Sequence, residues 1–170
     1  MIKIFQKDAP ILRKVSREVK ASELSSEDFK DLIKKLKEAL KQEKDGYAVA
    51  APQLGVSLRV FLISGTLIRN TKKTDEPQDD RVYINPKIVK RSKETEMLEE
   101  GCLSVRWWYG MVERHKKVKI EALTEDGKAF QEGAGGVLAQ AFQHEIDHLD
   151  GILFTDRAVD LKESPPLEEA

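Results

Sequence analysis

With 170 residues, of which 35% are charged and 40% apolar, the chain has the size and composition of one globular domain with a well-solvated surface. A net charge of −1 gives no overall pull towards nucleic acid or an anionic membrane, and no apolar run nears the roughly 20 residues of a spanning helix. The opening MIKIFQKDAPILRK lacks the basic-then-apolar layout of a secretory signal, which points to the cytoplasm or to an import signal already removed.

The first predicted element is a helix over residues 25–45. Phe29, Leu32, Ile33, Leu36 and Leu40 share one stripe at helical spacing, with lysines and acids on the opposite face. Ser25 followed by Asp28 resembles a capping box, and Gly46 is a natural stop. Short strand-like runs follow at 60–63, 82–84 and 88–89, with the polar tract 71–80 as an exposed loop between the first two. Val118, Ile120 and Ala122 alternate with Lys117, Lys119 and Glu121, a half-buried strand, and residues 125–128 supply the turn of a hairpin. Glycines at 133, 135 and 136 interrupt the pattern before a second helix from about Val137 to Leu149. Residues 161–170 are expected to be a disordered tail. Strands grouped around two helices without a βαβ repeat predict an α+β fold. Its mainly antiparallel sheets pack around a central helix, with an N-terminal helix beside them, in a single domain over residues 1–160.

The second helix carries His144-Glu145-Ile146-Asp147-His148, two of the three histidines in the chain. Residues four apart lie one above the other on a helix, so His144 and His148 are placed to hold one metal ion with Glu145 beside it. The segment around them is apolar, which argues against a chance pair of surface histidines, and Asp147 either orients a ligand ring or faces away. A catalytic site usually has three protein ligands and an open position. Downstream of His148 there is no histidine and no acid in an obvious ligand setting. Upstream, Cys102 is the only cysteine. A lone cysteine is most often a small buried hydrophobe, yet by elimination this one is the best third ligand.

Three separated motifs carry a resemblance: Gly46-Tyr47-Ala48-Val49-Ala50-Ala51-Pro52-Gln53, Glu100-Gly101-Cys102-Leu103-Ser104 and Gln143-His144-Glu145-Ile146-Asp147-His148-Leu149. With Asp8-Ala9-Pro10-Ile11-Leu12-Arg13-Lys14 near the start, the chain resembles the peptide deformylases nearly throughout, to about Asp156. That family removes the formyl group from N-terminal formylmethionine of new bacterial and organellar proteins. The resemblance implies that Cys102, His144 and His148 bind one divalent ion, Fe(II) by expectation, with Zn(II), Ni(II) or Co(II) as alternatives. It implies Glu145 as general acid/base for an attacking water, and Gln53 and the Leu103 N–H as donors to the formyl oxygen. The backbone at Gly46, Tyr47 and Ala48 would pair with the substrate as an added strand. The implied partners are N-formylmethionyl peptides or nascent chains at the ribosome, with no nucleic acid or membrane and with a monomer as the default.

The sequence departs from the family's pattern at two positions. Ala48 stands where glycine is usual, which narrows the approach of a peptide backbone, and Arg106 stands where proline is common, which makes the loop less stiff and adds charge. On their own, Gln53 reads as a turn cap, Glu100 as support for the cysteine loop and His115 as a solvated strand-edge residue without a role. Trp107-Trp108-Tyr109 reads as core or rim packing ahead of direct substrate contact. Two rival functions stand beside deformylation. A zinc endopeptidase needs a downstream third ligand; a metal-binding homologue would be either a structural domain or inactive binding module, for which Glu145 is unnecessary, or a specialised or weakly active protein acting on other N-formyl or short peptides.

Overall fold

The computed structural model describes residues 1–167. Helix α1 (Glu27–Gln42) begins one residue later than the capping box suggests, because Ser26, not Ser25, is the cap: its Oγ accepts the Phe29 N–H at 3.2 Å. The expected apolar stripe is its buried face. Strands β1 (Ala48–Ala50) and β2 (Val60–Ile63) follow, then an unforeseen helix α2 (Gly65–Lys72), capped by Ser64. At eight residues with only Leu67 and Ile68 as large buried side chains, α2 has too short a stripe to read, and it takes Thr71 and Lys72 from the expected loop.

The two runs expected at 82–84 and 88–89 are one strand, β3 (Arg81–Arg91), bent by a register shift between Ile84 and Lys87. Asn85 sits in the bend with φ of 50°, and its side chain brackets the backbone of Val19 with bonds of 2.8 and 2.9 Å. Strands β4 (Thr95–Glu100), β5 (Trp108–His115), β6 (Lys117–Leu123) and β7 (Ala129–Gly135) follow, then α3 (Gly136–Leu149) and β8 (Val159–Glu163). The glycine run does not stop the pattern: Gly133 and Gly135 lie in β7, and Gly136, with φ of 56°, turns the chain into α3. The tail expected to be disordered from 161 gives its first three residues to β8, which pairs with β5 through Trp108–Glu163 and Tyr109–Lys162. Residues 168–170 lie outside the described ones.

The fold is α+β. A five-stranded antiparallel sheet has the order β1-β2-β3-β6-β7, and a three-stranded antiparallel sheet the order β4-β5-β8. β2 is buried on both faces and divides the core. Val60 and Leu62 meet the α1 stripe on one side. Phe61 and Ile63 meet Leu138, Ala139, Phe142, Ile146 and Leu149 of α3 on the other. α3 is therefore central, with its apolar side on the large sheet and its polar side towards the small one. Among the described residues no helix is long and apolar enough to cross a membrane.

Phe142 is fully buried between Phe61 and Tyr83, with ring centroids 6.1 and 5.1 Å away. Phe142→Ala is expected to lower the unfolding free energy by about 3–5 kcal/mol in a urea titration. Val89→Ala, at a position 47% exposed, should change it by less than about 0.5 kcal/mol.

Candidate metal centre and cleft

His144 and His148 project from the polar side of α3, their ring centroids 5.1 Å apart. Cys102, in the turn between β4 and β5, reaches them: its Sγ lies 3.2 Å from His148 Nε2, and the three residues offer ligand atoms all within 4.8 Å of one another. The structure thus brings together the three residues that elimination and resemblance had joined. Burial pushes the Cys102 thiol up, but the imidazoles of His148 and His144 outweigh it and bring it down to about 5. A thiol held there is anionic at neutral pH, the form that ligates a metal. The Ser104 N–H, 3.4 Å from Sγ, adds a donor to that charge. Donor set and spacing fit one divalent ion.

A carboxylate fixes one ring. His144 Nδ1 lies 2.8 Å from Glu100 Oε1, which leaves Nε2 to face Cys102 and Glu145. Burial lowers the tendency of His144 to hold a proton, but Cys102 and Glu100 together raise its pKa well above the ordinary value. Glu100 is itself held by Arg114, whose Nε and second guanidinium nitrogen donate to the two carboxylate oxygens at 2.7 and 2.8 Å. Burial would push the Glu100 carboxyl up; Arg114 and His144 bring it to about 2. Asp147 does not orient a ring. It faces Arg114 at 2.7 Å and Arg157 at 3.1 Å, so of the two readings for this residue the outward one holds.

Glu145 is buried, with Oε1 4.0 Å from His144 Nε2 and with Oε2 lacking a hydrogen-bond partner among the described residues. Burial raises its carboxyl, against the pull of His144 and His148, to about 6. That value suits a group that takes and returns a proton near neutral pH. Gln53, also buried, accepts the Ala50 N–H at Oε1 (2.8 Å) and donates through Nε2 to Ser104 Oγ (3.0 Å), with Nε2 3.7 Å from Cys102 Sγ. It is both the turn cap read from sequence and a neighbour of the thiol. Leu103 follows Cys102 in the same turn, its side chain buried against the α1 side of the core.

A cleft of about 330 Å³ opens over these groups, lined on one side by Gly46, Tyr47 and Ala48 and on the other by residues 99–103 and 105–109. β1 is the edge strand of the large sheet. Because the Ser64 N–H donates to Tyr47 O, alternation turns the N–H and C=O of Ala48 to the open edge facing the cleft. The methyl group of Ala48 packs beside the α3 side of the core, so it takes space from the floor of the cleft and leaves that edge accessible. Arg106 is not a loose charge. Its guanidinium bridges to Glu43 at 2.6 Å and Asp45 at 3.0 Å and lies 4.4 Å from the Trp107 ring, which ties the two walls together. Trp107, Trp108 and Tyr109 all line the cleft half-buried, so rim packing and cleft wall are one role here. The Tyr109 ring lies where a side chain at Gly101 would come within 2.7 Å, so glycine is required beside the cysteine. His115 is half-buried and tied to Ser92 O at 2.8 Å, away from the site.

Arg114 is not singled out in the sequence, where it stands beside His115, Lys116 and Lys117. The signal was the alternation of β5: Gly110 and Val112 point inward, and Arg114 is the next inward position. An arginine there demands a buried carboxylate. Glu100→Gln removes the charge that orients His144. It is expected to weaken metal retention roughly 10–100-fold in a chelator competition.

Residues 1–164 match the polypeptide deformylase family. A peptide deformylase of Fusobacterium nucleatum is 40% identical over 158 residues, which cover 91% of this chain and 82% of that one. Peptide deformylase 1A of tomato chloroplasts is 35% identical over 156 residues, covering 87% of this chain; the match spans only 56% of that longer protein. The crystal structure of the class I type b peptide deformylase of Acinetobacter baumannii with Met-Ala-Ser bound superposes with a TM-score of 0.80 at 33% identity, covering 92% of this chain and 98% of that one. With the family match nearly end to end and the Cys102, His144 and His148 cluster in place, the chain belongs to the polypeptide deformylases, hydrolases that remove the N-formyl group from the formylmethionine of new polypeptides.

Proposed function

We propose that this chain hydrolyses N-formylmethionyl peptides at the Cys102, His144 and His148 centre, with Glu145 as the general acid/base. The observation that carries this reading is the buried Glu145 carboxylate, with Oε2 unpartnered among the described residues, at the floor of a cleft whose edge strand is open. Cys102, His144 and His148 would hold a divalent ion, Fe(II) by preference with Zn(II), Ni(II) or Co(II) able to replace it, and such an ion would supply Lewis acidity, which brings the pKa of a water from 15.7 to roughly 7–9.

The protein's own groups do the rest. The formylated N-terminus enters the cleft with its backbone beside Ala48, paired as an added strand along Gly46, Tyr47 and Ala48. Gln53 Nε2 and the Leu103 N–H donate to the formyl oxygen as charge builds on it, and loss of one such donor typically costs about 3–4 kcal/mol of barrier. Glu145 takes the proton of the attacking water and delivers it to the amine nitrogen as the C–N bond breaks, which releases formate and a free N-terminus. Met-Ala-Ser bound to the Acinetobacter relative has the form of such a product, which supports a methionyl peptide as occupant here.

We place this activity in a single catalytic domain over residues 1–160, which β8 extends by Leu161, Lys162 and Glu163. The setting we infer is a cytoplasmic, monomeric enzyme that meets its substrates as they leave the ribosome. The endopeptidase reading loses its ground, because the third ligand atom near the two histidines is the upstream Cys102 and not a downstream residue.

The test is formate release from formyl-Met-Ala-Ser, assayed anaerobically with Fe(II), since oxidation of the metal or of Cys102 imitates an inactive enzyme. Glu145→Ala is expected to lower kcat by about 10²–10⁴-fold with metal content unchanged, and Cys102→Ser to lose metal. An active Glu145→Ala protein would overturn the mechanism.

A further inference from the structure

A second groove begins where the cleft ends. Gly46 and Tyr47 line both, and from them a groove of about 700 Å³ runs along α1, where five lysines, Lys30, Lys34, Lys37, Lys41 and Lys44, line it beside the exposed Glu38. All five lysines are exposed. Acids at the junction are already engaged. Arg106 holds Glu43 and Asp45, and Asp80 Oδ1 accepts the Gly65 N–H at 2.8 Å. Lys30 and Lys37 have exposed partners at 3.5 and 3.7 Å, whereas Lys34, Lys41 and Lys44 have no carboxylate within 4.0 Å among the described residues. Another part of the α1 surface mixes signs, with Asp31 and Lys35 paired at 2.8 Å. With Glu43 tied to Arg106, the five lysines outnumber the remaining acids Glu38 and Asp80, and the groove is predominantly though not purely positive.

The direction of β1 links this stripe to the cleft. β1 runs from Ala48 to Ala50 and on to Gln53 beside Cys102, so its metal-distal end is Tyr47 and Gly46. A peptide with its formyl group at Cys102 and its backbone beside Ala48 leaves over Tyr47 and Gly46. At about 3.3 Å per residue, roughly its fourth to eighth residues then lie in the lysine groove. We propose that this groove is a downstream subsite that favours nascent chains carrying aspartate or glutamate in that stretch. The proposal rests on the substrate path of the preceding reading and adds a charge preference to it.

The test compares three substrates: formyl-Met-Ala-Ser, which is too short to reach the groove, and octapeptides that extend it with glutamates and aspartates or with lysines and arginines. At about 20 mM salt the acidic octapeptide should have a kcat/KM about tenfold above the basic one, through KM, and the difference should collapse near about 500 mM salt. Lys34→Glu, Lys41→Glu and Lys44→Glu combined should abolish or reverse the preference while formyl-Met-Ala-Ser turnover, the control for folding, stays unchanged. Equal values for the two octapeptides, or a preference that survives in the triple variant, overturn the proposal. So does retention of a short single-stranded RNA through these lysines without any peptide preference. Failure to hydrolyse formyl-Met-Ala-Ser itself sinks the deformylase reading and this proposal with it.

Discussion

The metal centre depends on one buried carboxylate. Glu100 ends β4, receives both arms of Arg114 from β5 and binds His144 from α3, so a single side chain joins the small sheet to the helix that carries two of the ligands. A buried charge without partners costs several kcal/mol, and Glu100 survives burial because each oxygen has a strong donor. Arg114 is held in turn by Asp147, on the same helix as the histidines. The network therefore closes on itself: α3, β4 and β5 cannot shift independently without breaking a buried ion pair. The residue two places after Glu100 is Cys102, so the carboxylate that orients one ligand also anchors the loop that delivers another.

α3 transmits this rigidity in the other direction. Phe142 and Ile146 fix one side of the helix in the core of the large sheet, while His144, Glu145 and His148 face the cysteine loop. Helical spacing makes both arrangements possible at once. Within the site the charges then sort themselves. The thiol is pulled down to about 5 by the imidazoles, and the thiolate in turn helps to hold Glu145 up at about 6. Groups with distinct environments a few ångströms apart take different roles, one as a fixed anion and one as a proton carrier.

Much of this was legible in the sequence. Helical periodicity exposed α1 and α3, and the four-residue histidine spacing needed nothing beyond helix geometry. What escaped had physical reasons. α2 is too short for a stripe to stand out, and β3 hides its continuity at Asn85-Pro86, where a bulge and a side chain bonded to distant Val19 keep one strand intact. β8 has no buried residue, so no alternation announces it; its order comes from pairing with β5. Arg114 and Glu100 are fourteen residues apart, and their partnership depends on how β4 and β5 pair, which no local pattern displays.

Arg106 shows most clearly how tertiary contacts invert a local reading. Taken alone, an arginine after the cysteine loop loosens the backbone and puts charge into the cleft. In the fold it does neither, because Glu43 and Asp45 from the far wall engage the guanidinium and Trp107 stacks beneath it. A ring that fixes φ restrains one loop; a guanidinium with two carboxylates restrains the distance between two loops. The Glu43 contact is largely shielded, whereas the Asp45 side chain is 58% exposed, so salt screens the second far more than the first. The wall of the cleft is therefore firmest at the end of α1 and softest at Asp45, beside the point where a peptide passes over Gly46. The same contact that holds the cleft together also offsets one of the two negative charges that stand between the cleft and the lysines of α1.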